Sequence, residues 1–157
     1  MAPYLLAKPE ALLVSSPYEE KLFATAFALD ESSFVREFPP RLESLSSTSN
    51  QKKRTANILY TPTWRDDQAF KVEDYVDWHS FNTFLEMHGL NFYIKPHPSD
   101  NAIYPGTEFS HIATIIKDDD IYSEIKKMDI IVSDYSSMIF EGLYLAMPFI
   151  LFCPDYV

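Results

Sequence analysis

The chain has 157 residues, enough for one domain or for one lobe of a larger protein. Hydrophobic residues make up 46% of it and aromatic residues 15%, so the composition predicts a folded core and excludes a disordered chain. Asp and Glu number 23 against 13 Lys and Arg. The net charge of −10 excludes non-specific nucleic-acid binding, which depends on neutralising many phosphates. Any anionic substrate must therefore bind at a local site.

Cysteine content and hydropathy bear on the compartment. The single cysteine, Cys153, cannot form an intrachain disulfide or a zinc site of several cysteines, which fits a reducing cytoplasm. The sequence shows no apolar run of about 18 residues and no export signal at its start. We therefore predict a cytoplasmic protein whose only contact with a membrane is peripheral, through segments outside this chain.

The first elements are predicted from capping signals and apolar runs. A helix is expected to begin at Ser16 and Pro17 and to end at about Ala28, because Ser caps helices and Pro suits their first turn. Its apolar side chains on one face are Tyr18, Leu22, Phe23 and Ala26. The flanking segments are a short apolar run at 12–15, an extended segment at 33–38 and a serine-rich polar loop at about 43–54.

From Asn57 onward, strand and helix patterns alternate. The predicted strands are residues 58–60, 91–95, 111–116, 129–132 and 149–152. The predicted helices are residues 74–88, closed by Gly89, then 121–128 and 136–146. Continuous apolar strands alternating with helices indicate an α/β fold, a Rossmann-like parallel sheet with helices on both faces. We expect one α/β domain over residues 1–157.

Parallel sheets of this kind bind ligands at the carboxyl ends of their strands. Three polar motifs follow predicted strands: Tyr60–Asp66, Lys95–Pro98 and Ser133–Ser137. In the third motif, Ser136 and Ser137 open a helix, where free N–H groups and hydroxyls suit a phosphate. The alternative is that one of these serines merely caps the helix. Only 3 glycines are present, which argues against a glycine-rich phosphate loop.

His97 and Arg65 are the charged or titratable candidates at these strand ends. Pro96 and Pro98 restrict the backbone around His97, so its imidazole could donate to a phosphate or act as a general acid, or it could be a structural histidine of a proline turn. The guanidinium of Arg65 could hold a diphosphate with two hydrogen bonds. Its alternative role is an ion pair with Asp66 or Asp67.

The remaining polar candidates carry weaker signals. Asp118, Asp119 and Asp120 could ligate a metal, but three acids before a helix are more simply a solvated turn. Glu141 lies one turn after Ser137, where a ribose would sit if a diphosphate occupies the helix start, or it is a solvated helix residue. Arg41 allows the same two readings as Arg65. The other histidines, His79, His88 and His111, are predicted to be structural or at the surface.

Taken together, these motifs resemble the CDP-glycerol glycerophosphotransferase family, the group of teichoic-acid polymerases and primases. The matching stretches are Val14–Tyr18, Phe38–Arg41, Leu59–Asp66, Lys95–Pro98, Ser133–Glu141 and Pro148–Phe152. Each motif alone is weakly specific, but they occur in the family's order along nearly the whole chain. The resemblance implies the two-lobed GT-B architecture, with this chain similar to the C-terminal, donor-binding lobe.

The reaction implied by this resemblance is transfer of glycerol phosphate from CDP-glycerol to a hydroxyl of a teichoic-acid-like or capsular polymer, with release of CMP. The acceptor would be a polymer or a lipid-linked molecule, and no cofactor or metal is expected. His97 is the implied catalytic residue, in contact with the donor diphosphate. The implied donor-binding residues are Arg41, Thr63, Arg65, Lys95, Asp134, Ser136, Ser137 and Glu141. Glu141 stands where the family frequently has Asp, near the ribose.

Two departures from the family pattern shape the expectation. The Phe38–Arg41 motif lacks the family's glycine and the aspartate that follows its arginine. The family's upstream His-Gly segment, with its candidate general base, is absent, and the chain stops at Val157 directly after a strand. We therefore expect a donor-binding part that binds ligand but does not turn over alone. Because such polymers grow on a lipid carrier, the resemblance also implies peripheral attachment to the inner face of the cell membrane.

Two other functions remain open from the sequence. A GT-B glycosyltransferase or epimerase acting on a nucleotide sugar would share the sheet and the diphosphate site, and its donor preference would separate it. A non-catalytic remnant would keep the fold and bind no nucleotide.

Overall fold

A computed structural model describes residues 10–45, 55–65, 72–100, 104–115 and 120–154. The chain divides into two compact units, residues 1–47 and residues 48–157. The predicted polar loop at about 43–54 spans this division and lies largely outside the described residues. The single α/β domain over 1–157 stays a prediction.

The first unit holds a two-stranded parallel sheet and two helices. The strands are β1 (Leu12–Val14) and β2 (Phe34–Arg36), and the α-helices are α1 (Pro17–Phe27) and α2 (Pro40–Glu43). A 3₁₀ turn at Glu31–Ser33 precedes β2. The predicted start of α1 is confirmed, because the Ser16 hydroxyl accepts a hydrogen bond from the Glu19 N–H at 3.2 Å. Glu19 in turn accepts from the N–H and hydroxyl of Ser15, and these bonds lower the pKa of its carboxyl.

The second unit is a five-stranded, wholly parallel sheet flanked by helices, which confirms the predicted α/β fold. Its strands are β3 (Ala56–Thr61), β4 (Leu90–Ile94), β5 (Ile112–Thr114), β6 (Ile130–Ser133) and β7 (Phe149–Leu151), in the order β5-β4-β3-β6-β7. Its helices are α3 (Trp78–His88), α4 (Ile121–Ile125) and α5 (Met138–Tyr144), with a 3₁₀ turn at Val72–Asp74.

Burial follows position in this sheet. The central strand β3 is buried over its last four residues, and the core cluster joins its Ile58 and Tyr60 to Leu85 of α3 and Ile94 of β4. All three residues of the edge strand β7 are exposed. Parallel strands need cover on both faces, and β3, with β4 and β6 beside it, accordingly lies at the centre of the sheet.

Several predicted boundaries are corrected by local hydrogen bonds. Helix α3 begins at Trp78, not Asp74, because the Asp77 carboxylate caps the N–H groups of His79 and Ser80. Helices α4 and α5 are shorter than predicted because their ends tighten into turns, as in the bond from the Met128 N–H to the Ile125 carbonyl. Residue 116, predicted to end β5, lies outside the described residues.

Gly89 closes α3 as predicted, with φ of 62° and ψ of 43° in the left-handed region. A Cβ added there would meet no atom within 4 Å, so the cost of Gly89→Ala comes from the backbone alone. We expect a loss of about 1–2 kcal/mol in the free energy of unfolding, measured by urea denaturation. Gly89→Asn should lose less, since Asn tolerates this conformation.

Gly106→Ala is the matched control for Gly89→Ala. Gly106 is exposed, its φ is not positive, and the nearest atom to an added Cβ is the flexible Glu108 carboxylate. Its substitution should change the free energy of unfolding by less than about 0.5 kcal/mol. Equal losses at the two glycines would contradict the left-handed cap.

Candidate active site

The strand order reverses next to the central strand. From β3 the chain passes outward through β4 to β5, then returns to place β6 on the other side of β3. Thr61 at the end of β3 pairs in register with Ser133 at the end of β6, and their hydroxyls hydrogen-bond at 3.1 Å. In open α/β sheets, ligands bind in the crevice at such a switch point, outside the carboxyl ends of the strands.

Asp134, the first residue after β6, forms the polar centre of this edge. Its side chain is only 1% exposed. It accepts hydrogen bonds from the Thr63 N–H at 3.0 Å, the Thr63 hydroxyl at 2.6 Å and the Tyr135 N–H at 2.7 Å. The Arg65 guanidinium lies 2.9 Å from its second carboxylate oxygen. Asp134 thus ties the segment after β3 to the turn after β6.

Arg65 is held on three sides. Besides the ion pair with Asp134, its Nη1 donates to the Thr63 carbonyl at 2.9 Å, and its Cζ lies 5.8 Å from the centre of the Tyr135 ring. The side chain is 16% exposed, so it is not sealed from solvent, although its Nη2 atom is buried. The sequence suggested Asp66 or Asp67 as its ion-pair partner; both lie outside the described residues, and the partner that the structure shows is Asp134.

His97 follows β4 and is oriented by two contacts. Its ring stacks on that of Trp64, with centroids 6.2 Å apart and an interplanar angle of 20°. Its Nδ1 accepts a hydrogen bond from the Ser99 N–H at 3.1 Å. Because a backbone N–H can only donate, the neutral ring carries its proton on Nε2. His97 is exposed, and its Nε2–H is the donor that this arrangement presents.

The turn after His97 is braced by a tyrosine. The Asp100 N–H donates to the His97 carbonyl at 2.9 Å, and the Tyr104 hydroxyl donates to the Asp100 carboxylate at 2.7 Å. Burial, together with this bond to an acid, raises the pKa of Tyr104 well above its usual range. Tyr104 therefore stays a neutral donor that fixes the turn.

Ser136 and Ser137 occupy the predicted helix start, with different roles. The Ser136 hydroxyl accepts a hydrogen bond from the Met138 N–H at 3.3 Å. Ser137 is the N-terminal cap of α5 by position, but its side chain makes no capping bond, and it is exposed. The Ser136 hydroxyl is therefore engaged in capping the helix, and the Ser137 hydroxyl is not.

Glu141 is buried, at 2% exposure, which excludes the solvated alternative. Its neighbours on α5, Phe140 and Leu143, are exposed at 59% and 51%. The buried face of the helix therefore carries Glu141 and Gly142, the reverse of an ordinary amphipathic pattern. A buried carboxylate is favourable only beside polar partners, so the buried face of α5 is not purely apolar.

The last two predicted donor-binding residues lie at different places. Lys95 follows β4 and is half-buried, and its N–H donates to the Tyr60 carbonyl at 2.9 Å. Arg41 belongs to the first unit, where it lines a pocket of about 270 Å³ with Glu19 and Pro40. The structure thus groups Thr63, Arg65, Asp134 and the Ser136–Ser137 turn in the second unit, next to the strand end that bears His97.

Of the three consecutive acids that could form a metal site or a solvated turn, only Asp120 lies among the described residues. Asp120 caps α4 by accepting from the Tyr122 N–H at 3.0 Å, and Asp118 and Asp119 are outside the described residues. Among described side chains, no group of three or more His, Cys, Asp or Glu could hold a metal. Within the same segments, no helix has the length and apolar character needed to cross a membrane.

The opposite edge of the sheet carries a structural polar ladder. The Asn57 N–H donates to the Asp129 carboxylate at 2.8 Å, and the Asn91 amide donates to the Asn57 side chain at 3.0 Å. His111 joins the ladder through its Nδ1, 3.0 Å from the Leu90 carbonyl. These contacts lie at the amino ends of β3, β4, β5 and β6, so His111 is structural, as predicted.

Two residues of the site were not predicted. Trp64 supports the His97 ring, and Tyr135 lies against the Arg65 guanidinium. Their positions in the sequence could have indicated them, because each follows a strand of the sheet. Trp64 and His97 follow the adjacent parallel strands β3 and β4, and Tyr135 follows β6 on the other side of β3.

A parallel sheet with polar residues gathered at its switch point defines the class of Rossmann-like α/β proteins that bind ligands at their strand ends. The chain belongs to the CDP-glycerol:poly(glycerophosphate) glycerophosphotransferase family, whose profile matches residues 6–157. This membership confirms the resemblance found in the sequence.

Individual relatives agree with the family. The teichoic acid poly(glycerol phosphate) polymerase of Bacillus subtilis (strain 168) is 26% identical over 92% of this chain and 21% of its own length. The teichoic acid glycerol-phosphate transferase of Staphylococcus aureus (strain NCTC 8325 / PS 47) is 26% identical over 92% of this chain and 41% of its own length. The chain thus spans less than half of these curated relatives.

Solved structures show the same fold. A histidine-to-alanine variant of the wall teichoic acid polymerase TagF matches with a TM-score of 0.75 and 21% identity, over 93% of this chain and 40% of the TagF chain. A TagF variant soaked with CDPG for 15 minutes matches with a TM-score of 0.76, with the same identity and coverage. These likenesses confirm the predicted α/β fold with its resemblance to a lobe of a GT-B transferase.

Proposed function

We propose that this protein carries the donor site of a transferase that moves glycerol phosphate from CDP-glycerol to a hydroxyl of a teichoic-acid-like or capsular polymer. The convergence of Arg65, the Ser136–Ser137 turn and His97 at the carboxyl edge of one sheet carries this proposal. Family membership supplies the reaction class, and the polar edge supplies groups suited to a diphosphate. The acceptor would be a polymer or lipid-linked chain at the inner face of the membrane.

In this reaction the acceptor oxygen bonds to the glycerol-bearing phosphorus, and the bond from that phosphorus to the bridging oxygen breaks. CMP leaves with the bridging oxygen, and the proton of the acceptor hydroxyl is released to solvent overall, so the products are the extended acceptor, CMP and one proton. Phosphoryl transfer depends mainly on positioning and on stabilisation of charge. Arg65 and Ser137 would hold the phosphate oxygens. His97 would donate from Nε2 to the diphosphate, where negative charge develops as CMP leaves.

Calorimetric titration tests this proposal. We expect the chain to bind CDP-glycerol and CDP, but not UDP-N-acetylglucosamine. Ser137→Ala should weaken CDP-glycerol binding by about 3- to 10-fold, the loss expected for one hydrogen bond. Ser123→Ala, a similar substitution in the first turn of α4, should leave the affinity unchanged.

The other outcomes favour the alternatives. Preferential binding of the uridine sugar would favour a nucleotide-sugar glycosyltransferase or epimerase. A folded chain that binds none of the three ligands would favour a non-catalytic remnant that retains the fold alone.

A further inference from the structure

Asp134 does more than adjoin the candidate donor site. Asp134 contacts four protein groups: the N–H and hydroxyl of Thr63, the N–H of Tyr135 and the guanidinium of Arg65. With 1% of its side chain exposed, little of the carboxylate is open to a ligand. The chemistry it provides is therefore directed at its neighbours.

A carboxylate beside a diphosphate site is electrostatically unfavourable unless it is neutralised. Asp134 is neutralised by Arg65, and the same ion pair fixes where the guanidinium lies. A planar guanidinium that is already oriented loses less conformational freedom when it binds a phosphate than one on a free side chain. The ion pair with Asp134 therefore reduces the net positive charge that Arg65 presents to the diphosphate, but it holds the guanidinium in a fixed orientation.

The orientation is set from both sides of the switch point. Thr63 bonds to Asp134 through its N–H and hydroxyl, and its carbonyl accepts from Arg65 Nη1 at 2.9 Å. Arg65 reaches back to the carboxylate from β3, while Asp134 extends from β6, the adjacent strand. Thr63, Arg65 and Asp134 are thus joined pairwise by hydrogen bonds and the ion pair, and these contacts connect the segment after β3 to the turn after β6.

We propose that Asp134 is a positioning residue, which holds Arg65 in the orientation that binds the donor diphosphate and does not itself contact the donor. This inference rests on the proposed function. Asp134→Asn keeps the shape of the side chain but places an amide, which has only one acceptor oxygen, where two oxygens accept now. Arg65 would then lose its ion pair and its fixed orientation.

The test is a double-mutant cycle on CDP-glycerol affinity, measured by calorimetry. Asp134→Asn and Arg65→Ala should each weaken binding by about 10- to 100-fold, as expected for a charged hydrogen bond. The double variant should bind no more weakly than Arg65→Ala alone, because Asp134 acts only through Arg65. The positioning role would be overturned if the fold losses of the two single variants multiply in the double variant. It would also be overturned if Asp134→Asn binds CDP-glycerol as tightly as the wild type or more tightly.

Asp129→Asn is the matched control, because Asp129 precedes the same strand at its other end and bonds to the Asn57 N–H. It should lower thermal stability and leave donor affinity unchanged. Nitrogen-15 NMR of the Arg65 guanidinium adds a donor-free readout, in which rotation should be slow in the wild type and fast in Asp134→Asn. Rotation that is unaffected by Asp134→Asn would overturn the role.

Failure of the proposed function gives a different pattern. If the wild-type chain does not bind CDP-glycerol, the proposed function fails, and the role of Asp134 toward the donor falls with it. If the wild type binds and the cycle is additive, only the positioning role is overturned.

Discussion

His97→Gln should retain most of the affinity for CDP-glycerol, whereas His97→Asn should lose about 10- to 100-fold, the effect of one hydrogen bond to a charged group. The Ser99 N–H occupies Nδ1 at 3.1 Å, which leaves Nε2 as the proton donor toward a phosphate. The amide nitrogen of Gln reaches about as far as Nε2, while that of Asn reaches only to the position of Nδ1. Calorimetric titration of both variants decides between the two ring nitrogens.

Catalysis should separate the two roles of His97. If the ring also protonates the leaving phosphate, His97→Gln should lower the rate of CMP release by about 100- to 10,000-fold while the donor still binds, since an amide cannot supply a proton. The measurement is the initial rate of CMP release from CDP-glycerol in the presence of acceptor, and equal rates for His97→Gln and the wild type would contradict the acid role.

The control for this series is His88→Gln. His88 is exposed at the end of α3, before the amino end of β4, and contacts Phe84. His88→Gln therefore makes the same chemical change at the opposite edge of the sheet, and the affinity of this variant for CDP-glycerol should match that of the wild type.

Equal affinities of His97→Gln and His97→Asn for CDP-glycerol would contradict the assignment of Nε2 as the donor.

The alternation of strands and helices was predictable because each element has a local signal. Continuous apolar runs identify buried parallel strands, and Gly89 ends α3 because the chain there adopts a left-handed conformation. The motifs at the strand ends were predictable for the same reason, since in a parallel sheet the carboxyl ends meet at one edge. Family resemblance then supplied the reaction.

The partner of Arg65 could not be read from the sequence. The sequence offered Asp66 or Asp67 as a partner, as the alternative to a diphosphate, whereas the observed partner, Asp134, lies 69 positions along the chain. That contact depends on β6 lying beside β3, and strand order depends on how each crossover packs, which periodicity does not encode. The same limit hid the stack of Trp64 on His97.

The sequence left the burial of Glu141 open for a different reason. Apolar neighbours such as Phe140 and Leu143 ordinarily mark the buried face of a helix, yet both are exposed, and the face of α5 that meets β6 carries Gly142. The contact is governed by small size rather than hydrophobicity, because the absence of a Cβ at Gly142 lets the helix approach the strand.

Gly142→Ala should therefore lower the free energy of unfolding by about 1–3 kcal/mol, the usual cost of overpacking a core. An added Cβ would lie 2.6 Å from Cδ1 of Ile131, a residue with no exposed surface that has little room to rotate away. The intrinsic helix preference of Ala over Gly, at most about 1 kcal/mol, offsets only part of this cost. Urea denaturation measures the net effect.

Ile131→Val identifies the cause, because it removes Cδ1 and leaves Cγ1, 3.5 Å from the added Cβ, in ordinary contact. Alone it should cost about 0.5–1.5 kcal/mol, but combined with Gly142→Ala it should restore part of the lost stability. Additive losses, or a stabilising Gly142→Ala, would contradict close packing at this point. Ser137 is the N-terminal cap of α5, so Gly142→Ala should also bind CDP-glycerol more weakly than the wild type. Adding Ile131→Val to Gly142→Ala should restore the affinity for CDP-glycerol.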